Sequence, residues 1–344
     1  MMNIQHSRRL LKTCVILALV FSGESAHADL VLNATGIADG FTASNFATGL
    51  TSNSGSFGFG PFGLAVTSNG SGGTNVLVND AANSTLYTFN NSDGQTPASA
   101  LYINFSNSST AGYATLNGVA YGSNNGQFGS FSSTGVFTPF SIAGLPGPYL
   151  GMAGNNTTGE IIATSSSGLI AINPTAQTFR VINAGVIGDG VSISPDGKTA
   201  YVENNGNIYG YDLSTGALKY TAPKPAGSYS PDGTGVIQSS NGLNGDIIVN
   251  DNNGNVYLIN VGSNTIGLIG TDAGQRGDYT APDFSTGTLL MDFSTQVERL
   301  SCGAGCGIGA APIPPNGVPA PGSLALFGAG IIGYGMLRRR RNHV

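Results

Sequence analysis

The sequence predicts an all-β chain folded as a β-propeller of about six four-stranded blades. Three observations carry that expectation. Short β-branched and aromatic runs recur between Asn33 and about Leu300 in units of roughly 40 residues, about four runs to a unit, which is the period of propeller blades. Gly-Pro or Ser-Pro-Asp-Gly turns punctuate the units, in a chain with 53 Gly among 344 residues, about twice the ~7% share of an ordinary domain. Hydrophobic residues make up 40%, enough to bury cores, while charged residues make up only 9%.

The clearest unit spans 191–218. Val191 and Ile193 alternate with small polar residues, as on a half-buried strand. Pro195-Asp196-Gly197 sets one φ and then frees the next, so the chain turns. Residues 200–202 and 208–211 give the second and third strands, and Ser214-Thr215-Gly216 turns into the fourth. Other units begin at 60–66 (with 75–79 and 85–89 after it), at 116–121, at 159–163 and at 246–250, and a truncated unit closes at 288–292. A lone blade cannot bury both faces of its sheet; a ring of blades does so and protects the strand edges. Residues 29–50 are placed to supply the strand that closes the ring. Ser194-Pro195-Asp196-Gly197 and Ser230-Pro231-Asp232-Gly233 resemble the turns of the NHL/YVTN-type propeller families. A right-handed β-solenoid, which tolerates the same Gly and Asn load, is the alternative architecture.

Both ends read as sorting segments. Arg8, Arg9 and Lys12 precede an apolar run at 13–21 that is too short for the ~20 residues of a membrane span. Ala26-His27-Ala28 then offers a small-x-small cleavage site, so the mature chain is expected to begin at Asp29. An uncleaved anchor helix is the other reading. At the far end come Val318-Pro319-Ala320-Pro321, an apolar Gly-rich stretch at 322–337, and the basic block Arg338, Arg339, Arg340 and Arg341. As a helix the stretch would rise about 24 Å, short of the ~30 Å hydrocarbon core, and the arginines would stay on the cytoplasmic side. The three parts, in this order, resemble the PEP-CTERM sorting signal recognised by exosortases in Gram-negative bacteria. This chain departs from that family at Ala320, where Glu is usual. The resemblance implies export through the secretion translocon and signal peptidase, then transient capture in the inner membrane. An exosortase-like membrane protease would next cleave the chain and release it to the cell surface or extracellular polysaccharide matrix, as in a biofilm. A plain C-terminal anchor is the bland alternative.

The chain thus divides into a signal peptide (1–28), a propeller body (29–300), a Cys- then Pro/Gly-rich spacer (301–317) and a sorting signal (318–344). In the spacer, Cys302 and Cys306 flank Gly303 and Gly305, and an oxidising compartment favours their pairing as a disulfide over two free thiols.

Composition excludes much chemistry in the body. From Asp29 to Gly317 there are 17 acidic residues against six basic ones, so no nucleic-acid partner is expected. The three His are His6, His27 and His343, all outside the body, which leaves it no Ser-His-Asp or Cys-His machinery and no His-ligated zinc. Asp196, Asp232, Asp246, Asp251, Asp278 and Asp283 read mostly as turn residues. The run 251–255 has the start of a calcium loop but Gly262 where the bidentate Glu belongs. The Gly-rich run 58–63 is not followed by a helical pattern and is no phosphate loop. The expectation is therefore a non-enzymatic exported protein without a metal or cofactor and with exopolysaccharide as a further partner. The alternative is a secreted propeller enzyme of the lyase or lactonase kind, since the repeats also resemble the virginiamycin-lyase group.

Overall fold

The structure, a computed structural model, describes residues 29–56, 58–105, 112–147 and 149–309. The predicted signal peptide, including Ala26 and Ala28, lies outside the described residues. So do Val318 to Pro321 and Arg338 to Arg341 of the sorting signal.

Six antiparallel four-stranded meanders stand around one axis. Blade 1 is Pro61–Ser68, Thr74–Asp80, Thr85–Asn90 and Tyr102–Phe105, from the axis outward. Blade 2 is Tyr113–Leu116, Val119–Asn124, Gln127–Phe131 and Phe137–Pro139. Blade 3 is Tyr149–Asn155, Glu160–Ser165, Gly168–Asn173 and Thr178–Asn183. Blade 4 is Val191–Ile193, Thr199–Asn204, Asn207–Asp212 and Leu218–Ala222. Blade 5 is Pro231–Ser239, Ile247–Asp251, Asn255–Asn260 and Thr265–Thr271. Blade 6 takes Gly277–Asp283, Thr288–Phe293 and Gln296–Ser301 from the end of the body. Its outermost strand is Thr42–Ala47 from the beginning. Each inner strand touches the inner strands of its two neighbours, blade 6 meeting blade 1, so the ring is closed. This is the six-bladed propeller that the repeats predict, closed by the segment expected to close it. A solenoid would stack parallel strands; here every strand pair of the blades is antiparallel.

The middle strands carry the core because both of their faces are covered. Val76, Leu77 and Val78 in blade 1 and Ile161, Ile162 and Ala163 in blade 3 have no exposure, as continuous apolar runs buried on two sides should. Large rings fill the wedges between blades: Phe46 lies edge-on to Phe89, and Tyr113 stacks on Phe131 with centroids 5.0 Å apart.

Arg299, in the third strand of blade 6, ties that blade to blade 1. It is 9% exposed and pairs with Asp283 at 2.9 Å and with Asp93 at 2.7 Å, and it donates to Asn91 at 2.6 Å. The sheet of blade 5 is widened at both edges. Val31–Leu32 pairs with its outer strand, and Cys306–Ile308 pairs with its inner strand after a disulfide between Cys302 and Cys306.

Candidate functional site

The channel along the axis is built by one repeated device. In blades 1, 3, 5 and 6 the inner strand bulges between its first and fourth residues, at Pro61/Leu64, Tyr149/Met152, Pro231/Thr234 and Gly277/Thr280. The register aligns the residue before the straight part of each inner strand as Gly63, Gly112, Gly151, Gly190, Gly233 and Tyr279. Five of the six are Gly because the next blade comes close, with its backbone at Gly151, Gly190 and Gly233 and with the Tyr113 ring at Gly63. A Cβ on Gly151 would lie 2.0 Å from the Asp189 carbonyl oxygen, and one on Gly190 would lie 2.1 Å from that of Asp232.

The sixth position carries a phenol instead. Tyr279 is buried on the axis. Its hydroxyl accepts from the Tyr113 backbone N–H at 3.0 Å and faces the carbonyls of Tyr113 and, at 3.2 Å, Met152. Blades 2, 3 and 6 are joined there across the channel, which Tyr279 divides into two mouths.

One mouth is acidic. The residue before the Gly or Tyr of each bulge is Phe62 in blade 1 and Leu150 in blade 3 but Asp189, Asp232 and Asp278 in blades 4, 5 and 6. Asp232 and Asp278 are buried. Burial first, and then the charges of Asp189 and Asp278, push Asp232 well above the usual carboxylate range. Burial also raises Asp278, against its hydrogen bonds to Arg276 and Asp232. Burial together with the Asp278 charge takes Asp189 up to about 6.

Behind this row, second-strand side chains reach the bulges of blades 3 and 6. In blade 3 the Thr164 hydroxyl accepts from Gly151 N–H at 2.9 Å. In blade 6 Asp292 Oδ1 accepts from the N–H groups of Asp278 and Tyr279, which the bulge would otherwise leave unpaired. Glu203 holds the equivalent place in blade 4; burial lifts it to about 7 while Gly206 N–H, 2.6 Å from its Oε1, opposes. Arg276 covers the mouth. Its Nε donates to Asp278 at 2.7 Å, and its guanidinium lies 4.2 Å from the centroid of the half-exposed Phe59 ring. Among the described residues no group of three or more His, Cys, Asp or Glu is arranged to hold a metal ion.

The other mouth is neutral. Every residue that lines it is uncharged, among them Asn155, Thr157, Ser194, Gln238 and Phe284 around about 60 Å³ of free space. Gln238 Oε1 is buried there without a partner. Gly309, the last described residue, lines it as well.

Several turn assignments need correction. Ser194-Pro195-Asp196-Gly197 is indeed a hairpin turn: Asp196 accepts from Ser194 Oγ and Lys198 N–H, and Gly197 sits at φ +71°. The same tetrapeptide at 230–233 opens an inner strand and puts Asp232 at the buried mouth. Asp278 is likewise a strand residue. Asp283 does cap a turn, accepting from Ser285 N–H and Oγ, and is also the buried ion-pair partner of Arg299. Asp246 and Asp251 do serve turns, accepting from Asn260 and Val261 and from Tyr229 and Asn253. The run 251–255 is the hairpin between the second and third strands of blade 5. Asp189, Glu203, Arg276 and Asp292 were not singled out from sequence. For Asp189 a signal existed, an Asp beside a Gly as at 232–233 and 277–278, one per unit in three successive units; Glu203, Arg276 and Asp292 carry none.

Comparison with known proteins agrees with the two halves of this description. Residues 317–341 match the PEP-CTERM protein-sorting motif, which makes this an exported protein processed by exosortase-type machinery. The body has the fold of solved propellers. A gluconolactonase from Xanthomonas campestris is 13% identical, with 79% of this chain and 94% of that one covered and a TM-score of 0.58. A protein of unknown function from Bacteroides thetaiotaomicron is 11% identical, with 76% of each covered and a TM-score of 0.56. No curated protein matches the chain in sequence.

Proposed function

We propose that the protein is a non-enzymatic propeller of the cell surface or extracellular polysaccharide matrix, set free from the inner membrane by cleavage at its C-terminal signal. The observation that carries this reading is the PEP-CTERM motif at 317–341, joined by a short spacer to a closed propeller. In a strain lacking the exosortase-type protease, the protein should accumulate uncleaved in the membrane fraction. Unchanged release in that strain would overturn the reading. The neutral mouth supports contact with neutral polysaccharide, because uncharged hydrogen-bonding groups and the Phe284 ring suit sugar hydroxyls and apolar sugar faces. Affinity electrophoresis should show retardation by a neutral polysaccharide that weakens in Gln238→Ala and Phe284→Ala. Equal mobility with and without the polysaccharide refutes that contact.

A second reading rests on the carboxyl pair Asp232–Asp278 beside Arg276. Two buried carboxyls raised by burial, one of them paired with a cation, suit general acid–base catalysis, and the similar gluconolactonase is an enzyme. Hydrolysis or elimination on a panel of lactones, lost in Asp232→Asn, would favour this reading over the first.

A further inference from the structure

A second group of buried carboxyls lies away from the channel, where the N-terminal segment crosses blades 5 and 6. Asp272 follows the outer strand of blade 5, and Glu298 is in the third strand of blade 6; both are buried. The Gln296 side-chain amide bridges them, donating to Asp272 Oδ2 at 2.7 Å and to Glu298 Oε1 at 2.9 Å. Neither carboxyl has an ion pair among the described residues. The charges around them are negative: Asp29 acts on both, and Asp272 and Asp93 act on Glu298. Arg299, next to Glu298 in the chain, is spent on Asp93 and Asp283. Burial lifts Asp272 to about 7 and Glu298 to about 8.

Two acceptor atoms at this place are buried with no partner, Asp272 Oδ1 and Asn45 Oδ1. The first residues of the mature chain run directly over them. Leu30 N–H donates to Glu298, and Asn45 Nδ2 donates to Asp29 Oδ1 at 2.7 Å. Backbone geometry keeps successive nitrogens within about 4 Å, so the Asp29 nitrogen lies within roughly 7 Å of the Glu298 carboxyl. Asp29 is the residue that follows Ala26-His27-Ala28.

We propose that this cleft is a binding site for the mature chain's own α-ammonium group. It rests on the export reading, through cleavage between Ala28 and Asp29. That hydrolysis consumes one water, leaves a carboxylate on Ala28 and gives Asp29 an amine that takes up a proton. The new ammonium brings three donors and one positive charge to Glu298, Asp272 Oδ1 and Asn45 Oδ1. In the precursor the same nitrogen is an amide with one donor and no charge. Removal of the signal peptide thereby tightens the closing segment of the ring.

The test compares full-length chains in mild detergent that begin at Asp29 with a free amine, at Asp29 with an N-acetyl group, and at a retained Ala28. At pH 7 the free-amine chain should melt about 2–4 °C above the acetylated one. At pH 4.5, where Asp272 and Glu298 are protonated, the gap should close. Glu298→Gln should shrink the gap at pH 7, and the Ala28 chain should fall below the free Asp29 chain. The α-amine, followed by NMR of its ¹³C-methylated form, should titrate above the ordinary ~7.7–8.0. Equal melting of the free and acetylated chains from pH 6 to 8, or an amine with an ordinary pKa, overturns the proposal. Because the termini are set in vitro, these outcomes do not depend on where the cell cleaves. A native protein that starts elsewhere would refute the cleavage site and leave the in vitro result standing.

Discussion

Replacing Tyr279 with Phe removes one oxygen from the propeller axis, and the structure gives the size of the effect. The ring stays, so packing is nearly conserved. What is lost is the acceptor for Tyr113 N–H and the donor to the Tyr113 and Met152 carbonyls. Tyr113 is 1% exposed, so water does not readily replace the hydroxyl. A buried polar group left without a partner costs about 1–3 kcal/mol. One N–H and one shared carbonyl therefore put the total at about 2–4 kcal/mol, partly offset because a hydroxyl no longer has to be desolvated. At about 2–4 °C per kcal/mol for a domain of this size class, the melting temperature should fall by roughly 5–12 °C. Differential scanning calorimetry at fixed pH measures it, with Tyr102→Phe as control, since Tyr102 lies on an outer strand and is 47% exposed. A shift in Tyr279→Phe no larger than that of the control would refute the claim that this hydroxyl joins blades across the channel.

Other consequences follow from the same geometry. Gly190→Ala should be among the most damaging small substitutions, because its Cβ would meet the Asp232 carbonyl at 2.1 Å; loss of soluble expression or a drop in chemical-denaturation midpoint reports it. Arg299→Ala should cost about 3–5 kcal/mol in urea unfolding, since it leaves Asp283 buried and ionised without its cation. Stability should be greatest near pH 4–5 and decline as pH rises toward 8. Asp189, Glu203, Asp272 and Glu298 are all raised by burial, to about 6, 7, 7 and 8, so the folded state holds their protons longer than the unfolded chain. The stability each contributes is complete below its unfolded pKa and is lost as pH passes its folded one; a melting curve that rises monotonically from pH 5 to 8 would contradict this. Cys306→Ser should cost at most about 2 kcal/mol, because the disulfide closes a very short loop.

The propeller was legible because its evidence is local and repeated. Alternation at Val191 and Ile193, and turns such as 195–197, dictate strands and hairpins without reference to the rest of the chain. Residues 29–50 could be assigned to ring closure because the last unit is short of a strand, and Thr42–Ala47 within them is the strand that closes it. The channel was much less legible. Ser-Pro-Asp-Gly makes a hairpin at 194–197 and starts an inner strand at 230–233, and the four residues themselves hold nothing that distinguishes the two. The difference comes from register: Pro231 pairs with Asp251 and the chain then bulges, turning Asp232 to the buried mouth. Tyr279 gives no hint in sequence that it stands where five other blades have Gly. The group around Glu298 and Asp272 joins residues from three separated segments, which only the closed ring brings together. The sorting signal is the opposite case, readable in full because its order along the chain is what the machinery recognises.

The most direct test is the intact mass of the native protein, with peptide mapping of both termini, from extracellular, cell-surface and membrane fractions. A mature chain in the extracellular or surface fraction that begins at Asp29 and ends near Val318 to Pro321 is the predicted result. A chain that still carries Arg338 to Arg341 and is confined to membranes would contradict export followed by release.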